Sequence, residues 1–597
     1  MLAVVCSFDA YTLAPLRQPA VALRRAHLIM ADAAPPPSTS DAQLAIQEMD
    51  GKVVPTNNGG LEDRTRATAK ERVVVLGSGW AAMKFVQNID TSMYDVTIVS
   101  PRNFFLFTPF LPSVTVGSVE GRSIVEPVRS LVQYSARPLL RKLKDRLSGK
   151  EGLTAESFEP ARFLEVACTQ IDAQSKRVVC EDVSSVVVKP GQFTLTYDKL
   201  VVAVGAVSNT FGTPGVEEHT LFLKEIDDSS LIRSRLLDAF ETAALETDDA
   251  VRKQLLQFVV VGAGPTGVEF AAELEDYLHH DLARTYSDAK YASVVLVQSA
   301  DHLLNTYDKA ISEFTEANLA SMDVEVVKRS RVLEVGPRSV VVRDKRSGAK
   351  RTIECGTTVW STGIAARPLT RAVMAQATGD AQRGAKALRV DPTLRAHGLE
   401  SVWALGDCSS VANPRLMDEL AMLFREADAD GSGALSRAEF RALLAKAAER
   451  VPSASMHLQR MSSSFDALDA DKDGTLSLEE LNTLATKVDK QNRAYPATAQ
   501  VAEQQGEYLA TQFNHQTNAN ADTDADPGFI YRHKGELCYV GGDKAVAGVG
   551  GAVLTGSAAG ALWHGAYLSM MHSRRMQACV ALDWAKVKVF GRDTSRC

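Results

Sequence analysis

Phe258-Val259-Val260-Val261-Gly262-Ala263-Gly264-Pro265-Thr266-Gly267 decides the fold, because Val73-Val74-Val75-Leu76-Gly77-Ser78-Gly79-Trp80-Ala81-Ala82 repeats its pattern about 185 residues earlier. Each is a β-branched run ending in a G-x-G-x-x-G/A turn, with a helical pattern next and a further strand after it: Asp95–Val99 in one unit, Val294–Val297 in the other. Gly77 and Gly262 permit the tight turn, and Gly79 and Gly264 let the backbone approach a pyrophosphate. Ala82 and Gly267 let helix and strand pack closely. The free N–H groups and positive dipole end of each helix suit phosphate. One such turn is weak evidence; two in one chain predict two dinucleotide sites, a flavin facing a nicotinamide.

Three further strands end in glycine turns: Leu200–Ala206 around Gly205, Thr358–Gly363, and Val402–Asp407. A carboxylate after the last strand, Asp407, suits the hydroxyls of a ribityl chain. The strand of the second unit ends Val297-Gln298-Ser299. An acid at that position binds the ribose 2′-OH and repels a 2′-phosphate, so neutral Gln298 predicts that NADPH is tolerated.

Residues 417–490 break the pattern. Asp428, Asp430, Ser432, Ala434 (through its carbonyl), Ser436 and Glu439 fall on the ligand positions of a twelve-residue EF-hand loop, with Gly433 at the sharp turn. Asp469, Asp471, Asp473, Thr475, Ser477 and Glu480 repeat the spacing around Gly474. Leu435 and Leu476, both at position eight, are expected to pair between the loops. The second loop has four acidic ligand positions to the first loop's three, so it should bind calcium more tightly. The module is either a sensor or a constant structural site.

After it, Gln500 and Gln504 share one helix face and can hold a flavin edge or a quinone carbonyl. Residues 545–573 contain no Asp, Glu, Lys or Arg but six glycines, and from 574 onward six basic residues face two acids. This reads as an apolar helix and basic tail lying on a membrane surface, with a full span or a buried dimer helix as other readings. Residues 1–70 read as a leader: three arginines against one acid up to Met30, then a polar run, suit a transit peptide or a disordered extension.

The chain of 597 residues has a net charge of −7, of which the 417–490 insert supplies −5. That balance argues against nucleic acid as a partner. None of the eight cysteines forms a C-x-x-C pair, so neither a zinc ribbon nor a flavin-linked disulfide reductase is indicated.

With Ser100-Pro101-Arg102-Asn103, Phe107-Thr108-Pro109, Gly264–Glu269, Val359–Gly363, Gly406-Asp407-Cys408, Ala499–Gly506 and Phe590–Asp593 in hand, the chain resembles the type II NAD(P)H:quinone oxidoreductases. It is most similar to the calcium-binding external enzymes of plant and algal mitochondria. The resemblance implies FAD at the first fingerprint (Gly77, Gly79, Ala82, Ser100, Arg102, Thr108, Gly205, Asp407). It implies NAD(P)H at the second (Gly262, Gly264, Gly267, Gln298, Gly363). Glu269 and Lys544 would lie near the flavin, and Gln500 and Gln504 near the quinone.

The expected fold class is α/β: two Rossmann-like dinucleotide-binding domains, an inserted all-α EF-hand pair and a C-terminal amphipathic helical membrane-association region. The FAD domain is expected over 71–210 and 355–416, the NAD(P)H domain over 211–354, the EF-hand pair over 417–490, a FAD/quinone segment over 491–544 and the membrane region over 545–597. The expected activity is NAD(P)H oxidation by FAD with two-electron reduction of a membrane quinone such as ubiquinone, without proton pumping, modulated by calcium. The expected setting is the intermembrane-space face of the mitochondrial inner membrane, as a homodimer. A flavoprotein diaphorase or idle scaffold is the alternative.

Overall fold

The computed structural model describes residues 61–135, 160–183, 186, 191–411, 416–450, 465–491, 495–516, 528–549 and 552–595. Most of the expected leader, with Arg17, Arg24 and Arg25, lies outside them, as do Met461 before the second loop and Arg596.

Val73–Leu76 are essentially solvent-free, as a strand covered on both faces requires. Glu71–Leu76 pairs in parallel with Tyr94–Ser100 on one side and Lys199–Val202 on the other, and Val402–Ala404 adds outside the latter. The remaining strands of this eight-stranded sheet continue beyond Tyr94–Ser100. The second sheet is fully parallel, in the order Leu221–Phe222, Thr357–Trp360, Gln257–Val261, Ser293–Val297, Glu325–Val327. Parallel pairing needs crossovers, and the helices Trp80–Asn88 and Pro265–Asp276 supply them directly after the two Gly-rich turns.

The EF-hand pair packs its own apolar core from Leu416 to Ala485, with Leu423, Phe440, Leu443, Leu476 and Leu481 solvent-free or nearly so. Leu435 and Leu476 exchange both backbone hydrogen bonds, at 2.8 and 2.9 Å, as their position in the loops predicts.

The charge-free stretch differs from expectation. Lys544–Val549 and Ala552–Gly556 are antiparallel strands that follow Glu536–Gly541 in a three-stranded sheet, and only Ser557–Met570 is helical. The β-branched Val546, Val549, Val553 and Thr555 suit the pleated form, and pairing with Glu536–Gly541 selects it, which a reading of hydropathy alone misses. A Cβ on Gly560 would stand 2.5 Å from the carbonyl oxygen of Asp543, so this glycine lets the helix pack against the turn between Glu536–Gly541 and Lys544–Val549. Among the described residues, no helix is long and apolar enough to cross a membrane.

Candidate dinucleotide cleft and calcium loops

One cleft of about 2900 Å³ runs from the first fingerprint to the start of the second helix. Gly77, Gly79, Ser100, Arg102, Thr108, Gly205, Asp407, Glu269 and Gln500 all line it. Gly77 has φ +113, and a Cβ there would meet the Ala203 carbonyl oxygen at 2.3 Å; Gly262 repeats this with φ +108 and the Ser361 oxygen at 2.5 Å. These glycines are therefore required by the neighbouring strand ends. Gly79 and Gly264 have nothing within 4 Å of a would-be Cβ. Both open helix starts are shaped for a phosphate group to approach bare backbone. A Cβ on Gly267 would collide with the Gly262 oxygen at 1.8 Å, and Ala82 is solvent-free, so both third positions serve helix–strand packing.

The polar walls are pre-oriented. Arg102 Nη1 donates to Glu225 Oε2 at 2.6 Å, and the Ser100 hydroxyl donates to the Ser78 oxygen at 3.1 Å. Trp80 Nε1 donates to Thr108 Oγ1 at 3.2 Å. Asp407 meets Lys224 Nζ at 3.4 Å. The residues fit a flavin dinucleotide: an open Gly-backed helix start, basic side chains and a carboxylate share one groove.

Glu269 sits on the first turns of the second fingerprint helix with 5% exposure. Its Oε1 accepts from Tyr539 N (3.1 Å) and Trp563 Nε1 (3.4 Å). Burial pushes its carboxyl up to about 8, helped by nearby Glu273 and opposed by those two donors. A carboxyl with that environment is neutral at pH 7 and can give or take a proton near neutrality.

Gln500 and Gln504 both clamp the 531–535 segment. Gln500 Nε2 donates to the Gly535 oxygen and Gln504 Nε2 to the Arg532 oxygen, each at 2.9 Å. Gln504 and Lys544 do not form part of the described cleft wall. Lys544 Nζ instead donates to Asn318 Oδ1 at 3.0 Å. Gln298 ends its strand, 9% exposed, with its amide turned onto its own loop at Ser299 N and His302 O. Gly363 has φ +76, and a Cβ there would strike the ring of Phe211 at 2.3 Å.

Sequence reading passed over Gln505, the neighbour of Gln504. It is 2% exposed, and its Oε1 accepts from Gly406 N at 2.7 Å, bracing the turn that carries Asp407. A Gln-Gln pair in a helix gives no sign of which amide is buried; only the partner turn, 99 residues away, settles it.

In the calcium loops, oxygens of Asp428, Asp430 and Glu439 lie within 4.8 Å of one another, as do those of Asp469, Asp471 and Asp473. Gly433 and Gly474 take φ +79 and +85 at the sharp turns. Asp469 Oδ1 is buried with no hydrogen-bond partner, which suits a cation as its missing neighbour. Calcium titration of single Glu439→Gln and Glu480→Gln variants should therefore remove the weaker and the tighter site respectively. Equal losses of affinity would contradict the order.

The first fingerprint and Pro265–Thr266 of the second line one cleft, while Gly262, Gly264, Gly267, Gln298 and Gly363 stand outside its wall. The first fingerprint lies on a mixed eight-stranded sheet and the second on a parallel one, and together they define a two-dinucleotide oxidoreductase. The model of the pyridine nucleotide-disulphide oxidoreductases matches residues 71–431, the NDH2 C-terminal domain matches 533–593, and the EF-hand domain pair matches 417–491. External alternative NAD(P)H-ubiquinone oxidoreductase B3, mitochondrial, of Arabidopsis thaliana is 38% identical over 564 residues, covering 90% of this chain and 92% of that one. External alternative NADH-ubiquinone oxidoreductase, mitochondrial, of Yarrowia lipolytica is 34% identical, covering 88% and 81%. The solved structure of NDH2 from Plasmodium falciparum in complex with NADH superposes with a TM-score of 0.74 at 27% identity, covering 88% of this chain and all of that one. The chain belongs to the external alternative NAD(P)H-ubiquinone oxidoreductases, within the pyridine nucleotide-disulphide oxidoreductase family.

Proposed function

We propose that this protein oxidises NAD(P)H and reduces ubiquinone at the cleft between its two fingerprints. The relatives' printed activity supports this, and the single observation that carries it is the shared cleft, which holds the first fingerprint, Asp407 and Glu269 together. FAD bound along Gly77–Ala82 supplies two-electron transfer between the nicotinamide and the quinone. Gly79 leaves the backbone open to its pyrophosphate, and Arg102 offers positive charge nearby. Asp407 accepts hydrogen bonds from hydroxyls, and Lys224 orients it.

Glu269 manages the proton. Both of its donors reach Oε1, which leaves Oε2 to carry the proton when the carboxyl is neutral. Gln500 and Gln504 act by holding the 531–535 segment, with Gln500 on the cleft wall and Gln504 behind it. Lys544 acts through Asn318, which also donates to the Val540 oxygen at 2.7 Å. Gly262 and Gly264 would hold the nicotinamide dinucleotide on the helix that Gly267 packs against the strand, and Gln298, freed from Ser299 N and His302 O, would meet its ribose. Replacing Gln298 by glutamate should raise the preference for NADH, with kcat/KM for NADPH falling on the order of tenfold through repulsion of the 2′-phosphate. Unchanged selectivity would sink that role.

The C-terminal helix Arg574–Phe590 exposes Leu582, Val589 and Phe590 (83% for the last) beside Lys588. This supports seating on an anionic lipid surface as a peripheral protein. The setting proposed from the relatives' printed names is the intermembrane-space face of the mitochondrial inner membrane. A homodimer is the expected assembly, and sedimentation of the purified chain tests it.

Calcium on the two EF-hand loops modulates the activity. The test uses the purified full chain: flavin absorbance, then NADH and NADPH oxidation by a short-chain ubiquinone, with calcium or with chelator. Bound flavin with quinone-dependent oxidation is expected. Oxidation that is independent of quinone would favour the diaphorase reading.

A further inference from the structure

We propose that Arg122, Arg129 and Arg575 hold the phosphate of an anionic phospholipid headgroup in a hollow at the root of the C-terminal helix. This rests on the membrane seating proposed above and names the lipid chemistry that such a surface would recognise.

The hollow measures about 340 Å³ and shares only Asn103 and Phe104 with the wall of the dinucleotide cleft. Its three guanidiniums come from three elements: the tight turn Gly121–Ser123, the helix Val128–Ser135 and the first turn of Arg574–Phe590. Phe104, Val125 and Pro127 supply apolar wall between them. Arg575 is held by backbone, its Nη1 donating to the Val125 oxygen at 3.0 Å and its Nη2 to the Arg122 oxygen at 3.4 Å. Arg129 is steadied by Phe163, whose ring centroid lies 5.1 Å from its Cζ.

Two acids stand near. Glu126 offsets Arg575 at 3.4 Å while accepting from Ser573 Oγ at 2.7 Å, and Glu165 receives the Asn103 amide at 3.2 Å. Among the described residues, neither Arg122 nor Arg129 forms an ion pair. Arg129 also stands in the first turn of its helix, which carries no acidic side chain. A cation there meets the positive end of the helix dipole, and the neighbouring guanidiniums repel it further. A phosphate in the hollow reverses both effects, and its oxygens match the planar fork of an arginine.

Position favours a lipid over a soluble phosphate. Arg575, Ala578, Leu582, Ala585 and Val589 follow the three-four spacing of one helix face, and all five are exposed. Met576 and Val580, on the other side of the helix, are buried. Arg575 is thus the one charged member of an outward stripe about 21 Å long whose other members are apolar. A lipid surface that receives Leu582 and Val589 brings its headgroups level with Arg575. The glycerol and first methylenes of a lipid would cover the apolar wall at Phe104, Val125 and Pro127, which a bare phosphate would leave to water.

The test measures pelleting of the purified full chain with dense vesicles at equal ionic strength, one set of phosphatidylcholine and one containing phosphatidylglycerol. Stronger binding to the anionic set is expected. Arg122→Gln with Arg129→Gln should weaken that binding about 25-fold, from about 1 kcal/mol for each basic residue near an anionic surface, and leave binding to phosphatidylcholine unchanged. Arg122→Lys with Arg129→Lys keeps the charge but not the fork, and should weaken it about fivefold, one net hydrogen bond. Circular dichroism checks the fold of each variant. If replacing Arg129 yields no soluble protein, Arg122→Lys alone must show a loss.

Full affinity in the lysine variants would reduce the arginines to diffuse charge and overturn the proposal. Equal binding of the unaltered chain to both vesicle sets would overturn it too, with membrane seating intact. Binding to neither set would refute the membrane seating itself. Calorimetry with inorganic phosphate alone should show no saturable binding; saturable binding that the glutamine variant loses would assign the hollow to a soluble phosphate and overturn the lipid.

Discussion

Replacing Glu269 by glutamine is expected to slow quinone reduction by about 10²–10⁴-fold, the range for losing a positioned proton donor. The side chain is nearly isosteric and Oε1 can still accept from Tyr539 N and Trp563 Nε1, so FAD content should be unchanged. The pH profile distinguishes this from misfolding. With the carboxyl pushed up to about 8 by burial, Glu269 holds its proton at pH 7 and loses it as pH rises through about 8. Turnover of the unaltered enzyme should decline through that window, and the glutamine variant should lack that limb. Its folding stability should respond with the same sign. A carboxyl raised above its unfolded value favours the fold fully below the unfolded value of about 4.3, and the advantage is lost as pH rises through the folded one. A variant with normal turnover and an unchanged alkaline limb would remove Glu269 from proton handling.

Arg592→Met is expected to cost the fold about 3–5 kcal/mol, read as a lower urea midpoint, because it strands buried carboxylates. Arg592 is only 11% exposed and anchors the C-terminal segment to the second fingerprint helix. Its Nη2 reaches Glu273 Oε2 at 3.1 Å, its Nη1 reaches Asp281 Oδ2 at 3.1 Å, and its Nε donates to Ser118 Oγ at 2.9 Å. Glu273 also receives the hydroxyls of Ser113 and Ser118, each at 2.7 Å. These hydroxyls cannot neutralise its charge, and neither can Asp276 and Tyr539 beside it. Combining Arg592→Met with Glu273→Gln should recover a sizeable part of the loss, since the penalty comes from the uncompensated acid more than from the missing pair. An additive double variant would show that the two side chains do not interact.

The network explains why the C-terminal Gly591-Arg592-Asp593 matters to a cleft it does not line. Glu269, Glu273 and Asp276 share one face of a single helix, four and three residues apart. Glu269 lines the cleft, Glu273 fastens the C-terminal segment through Arg592, and Asp276 accepts from Tyr539 Oη and Gly542 N. The C-terminal segment and the second fingerprint helix are thereby held in fixed relation.

Much of this was readable locally. The fingerprints, the two calcium loops and the Leu435–Leu476 contact follow from residue types at fixed spacings over a dozen residues. Each such unit is defined by its own backbone: a positive φ at Gly77 or Gly433, a ligand oxygen at every second position. The stretch from 545 to 556 was not readable in the same way. Its apolar residues suit helix and strand alike, and what selects the strand is the edge offered by Glu536–Gly541. Gln504 and Gln505 are equally unresolved by sequence. They stand side by side, yet one holds the Arg532 backbone at the surface and the other is buried against Gly406.

The sequence by itself therefore determined the class of the protein: two dinucleotide units, a calcium-binding pair after them and an apolar, basic end. Those follow from short-range stereochemistry, in which a glycine or a carboxylate is required where it stands. Tertiary structure alone decided which polar side chains face the cleft and which are spent on backbone partners. Those outcomes depend on partners 99 to 319 residues away, from the Gln505–Gly406 bond to the Arg592–Glu273 pair, and burial gives each its strength.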